Sequence, residues 1–199
     1  GFDEYFGILT GGGGHYNHMS TGEFTMRGPF KSTTVNVAGY NLWHNGNPVS
    51  DSDELVSGRH STAIYTDVAL AQLSAHAAAD DDAPFFLYLA FQAVHAPMEV
   101  PSDFVDGTVK NGCDAISLTS ADGNGKNRQS LCGMLSQLDS SAAAVEAHLR
   151  SDTMGGAWDR TVFVFLSDNG GVLDHGSSNA PFRGGKGTYY EGGMRVPAF

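Results

Sequence analysis

A chain of 199 residues, 41% of them hydrophobic, is long enough to bury one sizeable core. Eleven Lys and Arg against twenty-two Asp and Glu give a formal net charge of −11, which excludes nucleic acid as a partner, because phosphate backbones are bound by a surplus of Lys and Arg. No apolar run approaches the ~18 residues that span a bilayer, so no transmembrane segment is expected.

Gly1 is no initiator, and the chain stops inside the apolar run Val196-Pro197-Ala198-Phe199, so the sequence reads as a piece of a longer protein. The opening residues 1–9 are aromatic and glycine-punctuated, and run through Thr10 and glycines 11 to 14 into His15, Tyr16, Asn17 and His18. Glycine runs can cradle anions, but this spacing fits neither the dinucleotide fingerprint nor the Walker pattern. A loop is expected, whose His15 and His18 either line a site or, the more usual case, are exposed loop residues. Residues 20–60 are rich in Gly, Asn, Ser and Thr and suit either short strands or one long loop, and loops of that length tend to carry function. Asp51, Asp53 and Glu54 read as a solvated face.

From Ser61 the spacing of Ile64, Val68, Ala71 and Ala75, with Tyr65, Ala69 and Leu73 beside them, predicts a helix. Ser61 or Thr62 is the expected cap, and the run Asp80, Asp81 and Asp82 with Pro84 the expected end. Phe85 to Phe91 is apolar on both faces and predicts a buried strand, followed by a loop carrying His95. Helix then buried strand is the alternation of a parallel α/β sheet. Residues 98–127 show little periodicity and read as a surface excursion. Cys113 and Cys132 could close a loop by a disulfide or both stay free, and two cysteines are too few to fix a redox compartment. Leu131, Leu135, Leu138, Ala142, Val145 and Leu149 then form the stripe of a second helix packed on the sheet.

Thr161 to Leu166 has no polar alternation and predicts a central strand covered on both faces. It delivers Ser167, Asp168, Asn169, Gly170 and Gly171 to the carboxyl edge of the sheet, where open α/β sheets bind ligands. Asp168 and Asn169 offer hard oxygen donors of the kind Ca²⁺ or Mg²⁺ prefers, although Asp-Asn-Gly-Gly by itself reads first as a turn. His95 follows the other predicted strand and would emerge on the same edge. Lys186, set among glycines, suits an ammonium that reaches a close anion, or else a solvated loop lysine.

Four blocks, taken together, carry a resemblance: residues 1–7 (GFDEYFG), 85–97 (FFLYLAFQAVHAP), 167–171 (SDNGG) and 183–197 (RGGKGT through EGGMRVP). In content and order they resemble the formylglycine-dependent sulfatases, most of all the arylsulfatase B type. The resemblance implies an alkaline-phosphatase-like α/β fold, a mostly parallel sheet sandwiched between helices, with residues 1–199 forming a single partial catalytic domain. It implies a metal-dependent sulfuric ester hydrolase acting on a small-molecule or glycan sulfate ester. Asp168 and Asn169 match metal ligands, usually for Ca²⁺ with Mg²⁺ as the alternative. His95 matches the histidine that contacts sulfate and assists departure of the alcohol, and Lys186 the lysine that binds a sulfate oxygen. Family habit implies a secreted, extracellular or lysosomal location.

The departures are specific. The family's nucleophile is a formylglycine made from cysteine in a Cys-x-Pro/Ala-x-Arg setting, and neither Cys113-Asp114-Ala115-Ile116-Ser117 nor Cys132-Gly133-Met134-Leu135-Ser136 provides it. The paired aspartates that complete the metal site are absent as well. All are expected upstream of residue 1, so this piece is expected to be inactive alone. The alternatives are a phosphoester or phosphonate hydrolase on the same scaffold, and an inactive relative that binds sulfated glycan.

Overall fold

The computed structural model describes residues 1–27, 32–79, 83–120 and 122–199, with 22–27 and 32–37 as backbone. The expected helix terminator Asp80 to Asp82 lies outside the described residues. The chain divides into two compact units, residues 1–99 with 140–145, and residues 100–139 with 146–199.

In the first unit the polar stretch after residue 18 forms strands. β1 (Phe6–Gly7), β4 (Trp43–His44) and β5 (Asn47–Pro48) make a small sheet in the order β1-β4-β5. β2 (Met19–Arg27) and β3 (Ser32–Tyr40) pair antiparallel from Met19 opposite Tyr40 to Arg27 opposite Ser32. Helix α1 (Ser61–Ala78) follows. Its buried apolar face is Ile64, Tyr65, Ala69 and Leu73, whereas Ala71 and Ala75 of the expected stripe are exposed. The larger side chains on the neighbouring row won the core, because burial scales with apolar area. The core of this unit is Leu42, Val56, Ile64 and Tyr65, with Leu89 and Phe91 among the residues packed against it.

Residues 85–91 do not form the expected buried strand. They are extended, with Phe86 78% and Tyr88 71% exposed while the alternate residues Phe85, Leu87, Leu89 and Phe91 are partly covered. The backbone has the right shape, but a strand needs a hydrogen-bonded neighbour on its flank, and these residues have no ladder partner among the described residues.

Helix α2 (Gly125–Leu149), which apart from residues 140–145 belongs to the second unit, begins earlier than its apolar stripe. Met134, Leu138, Val145 and Leu149 are buried, whereas Leu135 points outward. The cysteines resolve as a Cys113–Cys132 disulfide with Cα atoms 5.6 Å apart, pinning the start of α2 to the 98–127 excursion. Gly155 and Gly156, both with positive φ, break the chain after α2, and the Arg150 guanidinium lies 4.1 Å over the Trp158 ring. A short helix α3 (Glu191–Met194) closes the order of elements.

The segment 161–166 is likewise extended, but its pairing is antiparallel: Phe165 and Phe199 exchange backbone hydrogen bonds at 2.8 and 3.0 Å, and Leu166 bridges Ala198. Val162, Val164 and Leu166 are 88, 62 and 59% exposed, so one face is open where a doubly covered strand was expected. Every strand pairing among the described residues is antiparallel. An apolar run announces that it can be buried on both faces; it does not name the neighbour or its direction.

Candidate active site

His95 lies in the first unit, in a turn from Gln92 to Glu99 fastened from beneath. His95 N–H donates to the Gln92 carbonyl at 2.9 Å, and Gln92 is itself buried, its side-chain amide donating to the Gly13 carbonyl. His15 is fully buried. Its Nε2 lies 3.0 Å from the His95 carbonyl and its Nδ1 2.8 Å from the Ser61 hydroxyl. A carbonyl only accepts, so Nε2 carries the proton and Nδ1 of the neutral ring accepts from Ser61. The His15 backbone N–H donates to Glu99 Oε2 at 2.6 Å.

The His60 ring is stacked on that of His15, centroids 4.7 Å apart and 3° from parallel. It repeats the pattern: Nε2 donates to the Glu99 carbonyl at 3.2 Å, and Nδ1 accepts from Thr62 N–H at 3.3 Å, capping α1. Burial is the largest influence on both rings, holding His15 below its ordinary value and, with His15 as the next cause, lowering His60 to about 4. His18 is also buried and lowered for the same reason. The expectation of exposed loop residues at 15 and 18 is therefore corrected, because bonds to carbonyls and a hydroxyl replace water around His15.

His95 itself is exposed. Its Nδ1 donates to the Ala96 carbonyl at 2.8 Å, which leaves Nε2 as the nitrogen open to an incoming group, with no hydrogen-bond partner among the described residues.

Asp168, Asn169 and Lys186 belong to the second unit, where three loops meet through backbone and one side chain. Lys186 N–H donates to the Gly171 carbonyl at 3.3 Å, and Gly170 N–H to the Gly193 carbonyl at 3.0 Å. A Cβ on Gly170 would sit 1.7 Å from the Gly192 carbonyl oxygen, and one on Gly185 2.5 Å from that of Gly171, so only glycine permits this approach. Asn179 ties the same loops: its Oδ1 accepts from Gly171 N–H at 2.8 Å, and its Nδ2 donates to the Gly171 and Gly184 carbonyls at 2.9 and 3.1 Å.

Within this junction the Asp168 carboxylate accepts no hydrogen bond from the described residues. Asn169 donates from Nδ2 to the Gly170 carbonyl at 3.0 Å, which leaves Oδ1 without a donor. Two hard oxygens in adjacent positions, unclaimed by donors among the described residues, fit a divalent cation of the Ca²⁺ or Mg²⁺ type. They would be part of a ligand set, since no group of three or more His, Cys, Asp or Glu is placed to hold a metal among the described residues. The Lys186 ammonium is exposed and likewise unpaired there. Asn179 and the His15–His60 pair escape a reading of residues alone, since a polar loop Asn and a loop His look the same whether bonded to protein or to water.

The family model described as Sulfatase matches residues 1–199. The chain is 35% identical to arylsulfatase J of Mus musculus over 199 residues, all of this chain and 28% of that protein. It is 33% identical over 143 residues to N-acetylgalactosamine-6-sulfatase of Canis lupus familiaris, 69% of this chain and 23% of that protein. Among solved structures it resembles the crystal structure of Ps i-CgsB in complex with k-i-k-neocarrahexaose, with a TM-score of 0.72 and 27% identity over 99% of this chain and 39% of that one. The chain thus spans about a quarter of the length of the curated relatives it matches. Family and structural likeness support the α/β, alkaline-phosphatase-like architecture, of which the described residues show helices and antiparallel pairs. With a family model matched along its whole length and relatives that are sulfatases by name, the chain belongs to the sulfatase family.

Proposed function

We propose that the protein carrying this chain hydrolyses sulfate esters, and that His95, Lys186, Asp168 and Asn169 each take part in that chemistry. The observation that supports this most directly is the junction of the second unit, which sets a carboxylate, a carboxamide oxygen and an ammonium, each without a partner among the described residues, on loops tied by the Gly171 carbonyl. Asp168 and Asn169 would hold the divalent cation through their unclaimed oxygens. Lys186 places positive charge for a sulfate oxygen, on which negative charge grows as the ester bond breaks. His95, with Nδ1–H committed to Ala96, turns Nε2 toward the departing alcohol and, as the doubly protonated ring, hands it the Nε2 proton. Bound groups complete the chemistry: the cation as Lewis acid, the family's formylglycine as nucleophile.

That nucleophile comes from neither cysteine of this chain. Cys113 and Cys132 are bonded to each other, and Cys113 is fully buried. Their disulfide suits an oxidising compartment, in keeping with a secreted, extracellular or lysosomal enzyme. No described helix is long and apolar enough to cross a membrane. A sulfated glycan is the substrate class we favour, because the structural neighbour was solved with a neocarrahexaose.

In the full-length protein, Asp168→Ala should lower turnover of an aryl sulfate by on the order of 10²–10³-fold and weaken Ca²⁺ binding measured by calorimetry. Normal turnover with unchanged binding would refute the metal role. An aryl phosphate cleaved faster than the matching sulfate would move the assignment to a phosphoester hydrolase.

A further inference from the structure

Two parallel imidazoles connect the start of α1 to the turn that carries His95. His15 runs from the Ser61 hydroxyl to the His95 carbonyl, and His60 from Thr62 N–H to the Glu99 carbonyl. Both rings present Nδ1 to the helix and Nε2–H to the turn, at two carbonyls four residues apart. The carboxylate of Glu99 returns to the His15 backbone, so turn and rungs hold each other. By contrast the exposed His95 ring has one hydrogen bond among the described residues, to its own neighbour Ala96, with the Gly12 backbone alongside it.

We propose that His15 is a positioning residue for His95: by donating from Nε2 to the His95 carbonyl, with the His60 rung behind it, it sets the place at which the His95 imidazole meets the sulfate ester. This rests on the reading of His95 as the proton donor to the leaving alcohol. A core residue chosen for volume alone would need no donor at that carbonyl. The fixed tautomer and the stacked second ring supply donor and stiffness at once, and a displacement of about 1 Å at a proton donor can cost ~10²-fold in rate.

The test is a pair of variants in the full-length protein. Gln at position 15 carries an amide N–H out to the reach of Nε2, whereas Asn ends near the level of Nδ1, short of the His95 carbonyl. His15→Asn should speed amide hydrogen exchange across residues 93–99. It should also lower kcat on aryl sulfates with poor leaving groups by on the order of 10- to 100-fold, with KM within about twofold. His15→Gln should restore most of both. Unchanged exchange at 93–99 in the Asn variant, or equal losses in Asn and Gln, would overturn the proposal. If the Asn variant loses its cooperative melting transition, Ser61→Ala takes its place: it removes only the hydroxyl that steers Nδ1 and should loosen the same residues, and unchanged exchange there overturns the proposal too. His95→Ala with full turnover of poor leaving groups would defeat the proton-donor reading alone, and the exchange measurement then decides the role of His15 by itself.

Discussion

Asn179 engages the Gly171 and Gly184 loops of the second-unit junction through one carboxamide, and its three hydrogen bonds use oxygen and nitrogen in fixed roles. Changing Nδ2 to oxygen, as in Asn179→Asp, removes two donations and turns a carboxylate toward the Gly171 and Gly184 carbonyls. Each donation lost from a half-buried group costs on the order of 1 kcal/mol, and more where the carbonyl stays unsatisfied. Because the Asp168–Asn169 pair leads directly into Gly170 and Gly171, the expected result is Ca²⁺ affinity lower by about 10- to 100-fold with the fold intact. Calorimetric titration of the full-length protein measures it; unchanged affinity would show that the glycine contacts hold the loop unaided. Asn179 sits in a stretch whose composition says only turn. Asp168 stands out because a hard donor ends an apolar run, whereas a residue whose partners are distant backbone carbonyls leaves no local pattern.

At the level of elements, α1 and its cap link structure to pH. His60 caps the helix as a neutral ring, and protonation at Nδ1 would remove the acceptor for Thr62 N–H and set positive charge against the stacked His15. Its value in the folded protein, about 4, lies below its ordinary value of 6.5, so between these limits the unfolded chain binds more protons. The stability this group contributes is therefore fully present above about pH 6.5 and is lost as pH falls toward 4. Glu99, which favours the charged ring, moderates the loss, while His15 and His18 add to the resistance. His60→Asn keeps a cap acceptor and cannot be protonated there, so it should flatten the decline in melting temperature between pH 6.5 and 4. An equally steep decline in the variant would assign the acid sensitivity to other groups. Carboxylates held low, such as Glu4 beside Asn45 and His44, act in a lower window. Both long helices were legible because a 3.6-residue period is written locally. Their buried faces were legible only to within a row, as Ala71 and Leu135 show. Residues 85–91 and 161–166 were legible as extended apolar runs, but a ladder depends on a partner far away in sequence, and no local pattern encodes it.

Across the whole chain, two forces of opposite sign act on its contact with other copies of itself. A formal charge of −11 favours separation, and that repulsion is confined within roughly 10 Å at 0.1 M salt and roughly 3 Å at 1 M. The open faces of Val162, Val164 and Leu166, and of Phe86 and Tyr88, favour association, because apolar area outside water is stabilising by about 25 cal/mol per Å² and an extended segment such as 85–91, with no ladder partner among the described residues, can add strands. Salt removes the first force and leaves the second. The 199-residue chain is therefore expected to remain dispersed at low ionic strength and to associate as salt rises, which sedimentation velocity across a salt series measures. Replacing Val162 and Val164 together by Glu should suppress that association at every salt concentration while leaving the melting temperature nearly unchanged, since neither side chain is buried. Association that falls with salt would point to ion pairing between copies, and association unaffected by the two Glu substitutions would place the adhesive surface elsewhere than on the face of residues 162–166.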